Sequence, residues 1–213
     1  MSTPESAEAF YARVLAATDE DGRLPVAVEE MPGWDIYPYE IDSLRLKPLR
    51  PLADAEPPRG GEDPDTCWCA RPRDLAHDEL LVWSNERWQL HLDVEMHLPI
   101  AVSLGPLEHC DLPTVPEYLT AEMGRLIVEV SAAVEALPSV GRVQLAKYGD
   151  GGAHLHLFFL GRPARVLQLR GSPLIDWAEN LPPVPRDVHL ANADAVADRL
   201  VAAVGGTGPG WRI

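Results

Sequence analysis

GDGGAHLHLFFLGRP, residues 149–163, is a glycine-rich turn running into a strand. From Ala153 to Leu160 the residues alternate, with Leu155, Leu157 and Phe159 on one face and His154, His156 and Phe158 on the other. That period predicts an interior strand over 153–160 with an apolar core face. It also sets two imidazoles on the same side, roughly 7 Å apart along the backbone. An imidazole can attack phosphorus or an acyl centre, or ligate a metal. Gly151 and Gly152 offer backbone N–H groups beside them, and Arg162, Arg165 and Arg170 follow with guanidiniums suited to phosphate oxygens. Paired histidines also occur on ordinary solvent-facing sheets; the glycine turn and the arginines tilt the balance toward function.

Upstream, the sequence supplies more of a sheet and a helix to cover it. Leu80–Trp83 and Arg87–Leu92 read as strands around a Ser84-Asn85 turn, Pro99–Leu104 as a third, and Val143–Tyr148 as the strand before the turn. Thr114-Val-Pro-Glu117 matches a capping box, so a helix is expected to begin there. Leu119, Met123, Leu126, Ile127, Val130, Val134 and Leu137 then recur at helical spacing. Together these predict an α+β domain over 67–171, an antiparallel sheet with one long packed helix.

The flanks read differently. Residues 1–66 form an N-terminal arm: a short helix after Thr3-Pro4-Glu5 with Phe10, Val14 and Leu15 on its stripe, then a Pro- and Trp-punctuated stretch over 25–52. Residues 53–66, ADAEPPRGGEDPDT, are acidic, rich in Pro and Gly, and expected to be a surface loop. Residues 172–213 form a C-terminal extension on the same domain, with a helix from near Asn192 that buries Val196, Leu200 and Val204 and stops at Gly205-Gly206.

A formal net charge of -15 disfavours coating of nucleic acid or binding to an anionic membrane surface. A small phosphate ligand needs only a few local donors and stays open. No apolar run approaches the roughly 18 residues of a membrane span, and the N-terminus lacks the pattern of a secretory leader. The three cysteines, Cys67, Cys69 and Cys110, make no disulfide framework, so a cytoplasmic location is expected.

With these elements in order, the chain resembles the histidine-triad (HIT) superfamily of nucleotide hydrolases and transferases. The family motif, His-φ-His-φ-His-φ-φ, lies over GGAHLHLFFLGRP without gaps, with His154 first, His156 in the middle and Phe158 in the third position. ELLVWSNERWQLHL resembles the opening hairpin, PIAVSLGPLEH the strand after it, and the helix from Glu117 the family's long helix. The resemblance spans about residues 67–171. It implies a nucleotide as ligand, with His156 attacking an α-phosphorus to give a covalent nucleotidyl-histidine. His154 would position the site, and Gly151, Gly152 and the arginines would contact phosphate. That chemistry needs no cofactor, and a homodimer is compatible with it. Two departures stand out: Phe158 cannot donate a hydrogen bond as the third histidine does, and the Val143–Tyr148 strand lacks an Asn common in the hydrolases. A degenerate, non-catalytic nucleotide- or partner-binding HIT fold is therefore the alternative.

Some relatives in that superfamily hold a structural zinc. The equivalent residues here would be Cys67, Cys69, His109 and His154, an S2N2 set suited to tetrahedral zinc. The C-x-C spacing departs from the usual C-x-x-C and implies strain on one ion; the bland reading is two small residues bracketing a core Trp68. Cys110 is a packing residue or a stand-in ligand. His77, His91, His97 and His189 read as surface or singly satisfied residues, and Trp83, Trp88 and Trp177 as core or interface anchors. The cupins also use His-x-His, but residues 157–163 lack their downstream Glu.

Overall fold

The computed structural model describes residues 3–20, 22–24, 56–71, 78–170, 174–178, 180–209 and 211. The stretch 25–52 and His77 lie outside them. Five strands form one antiparallel sheet: β1 Leu81–Ser84, β2 Trp88–Leu92, β3 Ala101–Pro106, β4 Val140–Ala146 and β5 Leu157–Pro163. Their order is β1-β2-β3-β5-β4, which places β5 in the interior. The chain is therefore α+β, with helices α1 Ala7–Leu15, α2 Glu117–Glu135, α3 Ile175–Ala178 and α4 Arg186–Val204.

The larger core lies under one face of the sheet. Leu90, Leu104, Leu157 and Phe159 point into it and meet Leu126 and Val130 of α2 and Val196 and Leu200 of α4, all essentially buried. Trp83 and Trp88 are buried there too. Each indole N–H finds an oxygen, on Gly205 at 2.7 Å and on Glu122 at 3.1 Å. Trp177, by contrast, is 37% exposed. The periodic stripe on α2 is as expected, but α4 is an equally long second helix beside it. Sequence placed its start near Asn192; it begins six residues earlier, after Pro185.

Asn192 is a buried mid-helix residue, not a cap. Its amide donates to the Pro99 carbonyl at 2.8 Å and accepts from the Glu5 N–H at 3.3 Å, tying the N-terminal arm and the approach to β3 to α4. Asn192→Ala should lower unfolding stability by about 1–3 kcal/mol, since the buried Pro99 carbonyl and the partly buried Glu5 N–H both lose a partner. Urea denaturation measures this; a change below about 0.5 kcal/mol would mean that water replaces the amide.

The start of α2 also differs. Thr114 serves a capping box with Asp111 around the short 3-10 turn Leu112–Thr114, and α2 starts behind Pro116 without a side-chain cap. On the opposite sheet face, α1 (capped by Ser6) and residues 174–178 and 180–181 pack Phe10, Val14, Leu174 and Leu181 against Ala101 and Leu160. Leu15, expected on the same stripe, is 48% exposed. This second layer covers only part of that face; the histidines lie beside it. Among the described residues no helix is long and apolar enough to cross a membrane.

Candidate functional site

The strand through the motif starts later than its alternation suggests. The chain bends at 153–154 and joins the regular strand only at Leu157, and the backbone bonds before it leave the ladder: Ala153 N–H donates to Gly60 at 3.0 Å and Leu155 N–H to Cys110 at 2.7 Å. The ladder cannot continue on the β3 side because β3 ends at Pro106, which has no N–H. The period survives the loss of regular pairing. Leu155 stays in the α2-facing core, while His154 and His156 line a cavity on the other face.

That cavity is about 320 Å³ and has Trp68, Gln89, His91, Ser103, His154 and His156 in its wall. Gly105 lies in its floor because the Leu155 carbonyl passes directly above; a Cβ there would come within 2.9 Å of that oxygen. Gly105→Ala must therefore push segment 153–156 outward. We expect a stability loss of about 1–3 kcal/mol and displacement of both histidines, visible as shifted imidazole resonances in NMR spectra. Unchanged resonances would mean that the sheet yields instead.

Each imidazole has an assigned tautomer. A carbonyl can only accept, so His154 donates from Nε2 to the Pro106 oxygen at 2.8 Å, and His156 donates from Nδ1 to the His154 oxygen at 2.8 Å. His154 is left with a lone pair on Nδ1, which meets Cys67 Sγ at 3.5 Å. His156 is left with a lone pair on Nε2 at the cavity wall. Phe158 stands edge-on to the His156 ring at 5.1 Å and contacts Tyr148 at 5.8 Å. It fills the third motif position with a ring that has no donor.

The cysteines join His154 from an unexpected direction. Gly60 pairs with Gly152, so the acidic loop is anchored near its middle, and Cys67 enters the one-turn 3-10 helix Trp68–Ala70 in an extended conformation. That tight turn brings both sulfurs of the C-x-C into one group. Cys67, Cys69, His109 and His154 present one ligand atom each, all within 4.8 Å of one another. The Cys69 Sγ to His109 Nδ1 distance is 3.5 Å. Zinc with Zn–S and Zn–N bonds of about 2.3 and 2.0 Å has tetrahedral ligand–ligand edges of about 3.6 Å; the two sulfur–nitrogen separations of 3.5 Å match these edges, and the other separations are all within 4.8 Å, so the donor set could hold such an ion. Burial, with hydrogen bonding and charge from Cys67, pushes the Cys69 thiol up to about 11. Metal-free Cys69 therefore favours its protonated form, and a cation would reverse that. Cys110 is buried in the α2-side core, outside this group. Trp68 is not a core residue; it is 40% exposed and tilts over His154 with ring centroids 4.4 Å apart.

A charged network braces the cluster. Arg59 donates to Asp111 at 2.7 Å and to the Gly149 carbonyl at 3.1 Å, and Lys147 meets Asp111 at 2.9 Å. Burial raises the Asp111 carboxyl, but the bonds from Arg59 and Lys147 outweigh it and hold it at about 2.

The three arginines do not join the site. Arg162 lies six residues along the strand from His156, about 20 Å at 3.3 Å per residue. Its guanidinium turns to the Pro163 carbonyl at 2.9 Å. Arg165, at φ 63°, pairs with Glu8 at 2.8 Å, and Arg170 is exposed beyond the next turn. Proximity in sequence suggested them, but β5 carries them away. Gly151 and Gly152 do stay near, and the space a Cβ on Gly152 would take is 3.6 Å from the His156 ring. Of the other histidines, His97 bonds the Leu181 carbonyl at 2.7 Å, while His189 is buried on the Leu98 carbonyl at 3.1 Å, burial lowering its pKa. His91 is the one the sequence reading undervalued: it lines the cavity, with Asp78 Oδ2 3.0 Å from its Nε2. The signal was present, since Gln89 and His91 alternate with Trp88, Leu90 and Leu92 as the motif histidines do with their leucines.

Fold and site define an α+β protein with a histidine-lined cavity adjoining a Cys2His2 cluster able to hold a metal ion. Its neighbours among solved structures include histidine-triad proteins. One is a hypothetical histidine triad nucleotide-binding protein from Sulfolobus tokodaii, at 13% identity and TM-score 0.46, over 59% of this chain and 88% of that one. A Zn-bound histidine triad family protein from Mycobacterium smegmatis follows at 16% and 0.43, over 59% and 88%. A uridylyltransferase matches at 17% and 0.41, over 60% of this chain and 43% of its own length. Likeness at this level says nothing about which residues act. No model of a known protein family matches the chain, and no curated protein matches it either.

Proposed function

We propose that this chain binds the phosphate of a nucleotide in the cavity and acts as a nucleotide-phosphate hydrolase or nucleotidyltransferase with His156 as nucleophile. The observation that carries this reading is the His156 tautomer: Nδ1–H is held by the His154 carbonyl at 2.8 Å, which leaves the Nε2 lone pair at the cavity wall. An imidazole attacks phosphorus only through such a lone pair. The volume, about 320 Å³, lies at the lower end of small-ligand sites. His154 serves by its backbone, which orients His156, while its side chain belongs to the cysteine cluster. The 149–152 turn, with Gly151 and Gly152, supplies N–H groups for phosphate in place of the distant arginines.

The same reading assigns a structural zinc to Cys67, Cys69, His109 and His154. That ion would lock the 59–70 loop against the motif and hold Trp68 at the cavity; it takes no part in the phosphoryl chemistry. A second reading, a binder without turnover, is favoured by Phe158, which offers no donor to a departing group. Intact-mass spectrometry after incubation with dinucleotides and nucleoside phosphoramidates separates them: a nucleotidyl adduct supports the enzyme, whereas affinity without an adduct supports the binder.

A further inference from the structure

We propose that His91, held by Asp78, is the proton donor that the third motif position lacks, a catalytic residue acting on the leaving group. The inference rests on the nucleotidyl-transfer reading above. In the sheet register His91 pairs with Ser103, and Ser103 pairs with Phe158, so the three share one row on the cavity face. His156 precedes Phe158 by one step of the period. With strands about 4.8 Å apart, His91 sits two strands, about 10 Å, from the motif backbone, and its ring lines the same cavity as the His156 ring. Attacking and departing atoms lie on opposite sides of phosphorus in an in-line displacement. A donor for the departing atom is therefore needed across the cavity from the nucleophile, not beside it, and His91 is placed there.

Its partner suits it to the task. Asp78 and His91 are mostly withdrawn from solvent, at 21% and 19% side-chain exposure, with 3.0 Å between carboxylate and Nε2. The carboxylate fixes Nε2–H and stabilises the imidazolium, so the transferable proton is the one on Nδ1. In the first half-reaction the His156 Nε2 lone pair forms a bond to the α-phosphorus. The phosphorus–leaving-group bond breaks with its electron pair on the departing atom, which takes the Nδ1 proton of His91. In the second, water attacks phosphorus and gives a proton to neutral His91. The N–P bond electrons return to His156, and nucleoside monophosphate leaves. Atoms and charge balance without a metal or co-reactant.

Leaving-group chemistry tests this. For each of the four ribonucleosides, turnover of the 5′-(p-nitrophenyl phosphate), whose phenolate departs unprotonated, is compared with that of the 5′-(N-alkylphosphoramidate), whose amine must be protonated. In His91→Asn the ratio of the first rate to the second should rise about 100-fold, the lower range for one proton-transfer group, and in Asp78→Asn about 10-fold. A structural role would slow both substrates alike, and an unmoved ratio in either variant would overturn the assignment. If the unaltered protein turns over neither substrate and forms no adduct, the nucleotidyl-transfer reading itself fails. An adduct with an unmoved ratio removes His91 alone.

Discussion

On the zinc reading, Cys67→Ser should yield protein that retains less than a tenth of the parent's metal and melts about 7–20 °C below it. Cys67 and His154 are both buried, and their ligand atoms are 3.5 Å apart. The His154 ring has no freedom to compensate, because its Nε2 is committed to the Pro106 carbonyl. A carbonyl behind a ligating imidazole fixes ring and tautomer, and such outer partners tune metal affinity. Structural zinc contributes roughly 10–16 kcal/mol of apparent folding free energy in small peptides. Losing a third of that, at about 2–4 °C per kcal/mol for a chain of this size, gives the expected fall. Metal analysis and calorimetry on protein purified without chelators measure both quantities. Unaltered protein without metal, melting at the same temperature as the variant, would reduce the cluster to packing.

How much of this was written in the sequence depends on the range of the interaction. The α2 stripe and the inward leucines of β5 were legible because both faces are set by local periodicity, and tertiary packing only had to agree. The gathering of Cys67, Cys69, His109 and His154 was legible through the family resemblance alone, since the C-x-C spacing argued against it. What overcame the spacing is a 3-10 turn anchored by the Gly60–Gly152 pairing, a contact across 92 positions that no local pattern announces. Misreadings share that cause. Thr114-Val-Pro-Glu117 has the residues of a capping box, but Asp111 competes for the same hydroxyl and wins. Arg162 is near His156 in sequence and far in space, because an extended strand separates residues faster than any other element. His91 is the converse: 65 positions from His156, and in the same cavity.

The His154 backbone also explains how a cluster able to hold a metal ion and the proposed nucleophile can share three consecutive residues. His154 gives its side chain to the cysteines and its carbonyl to His156, so the cluster fixes the backbone from which His156 is aimed. Loss of a bound metal should therefore loosen His156 through the His154 carbonyl, although His156 is not itself one of the four ligands.

His156→Asn should abolish the covalent nucleotidyl adduct and lower turnover by about 10⁴-fold or more, the largest kinetic effect expected of any single substitution here. Removing the nucleophile of a well-studied protease costs about 10⁶-fold, and a weaker starting activity narrows the measurable range. Asparagine keeps a side-chain amide able to donate to the His154 carbonyl, so the fold around the 2.8 Å bond is preserved while the lone pair of Nε2 is lost. Half-burial of the ring, with Phe158 at its edge, keeps the substitution out of the main core. Stability should change by less than about 1 kcal/mol, so lost chemistry cannot be blamed on unfolding. One absent donor at a transition state typically costs on the order of 100- to 1000-fold, so the starting activity depends on how fully His91 replaces the donor that Phe158 lacks. Phe158→His should raise turnover wherever the departing group needs a proton. Mass spectrometry of the trapped intermediate gives the decisive reading: a nucleotidyl mass on the parent chain and none on His156→Asn. Should the adduct persist in the variant, the nucleophile lies elsewhere, and His91 becomes the first residue to examine.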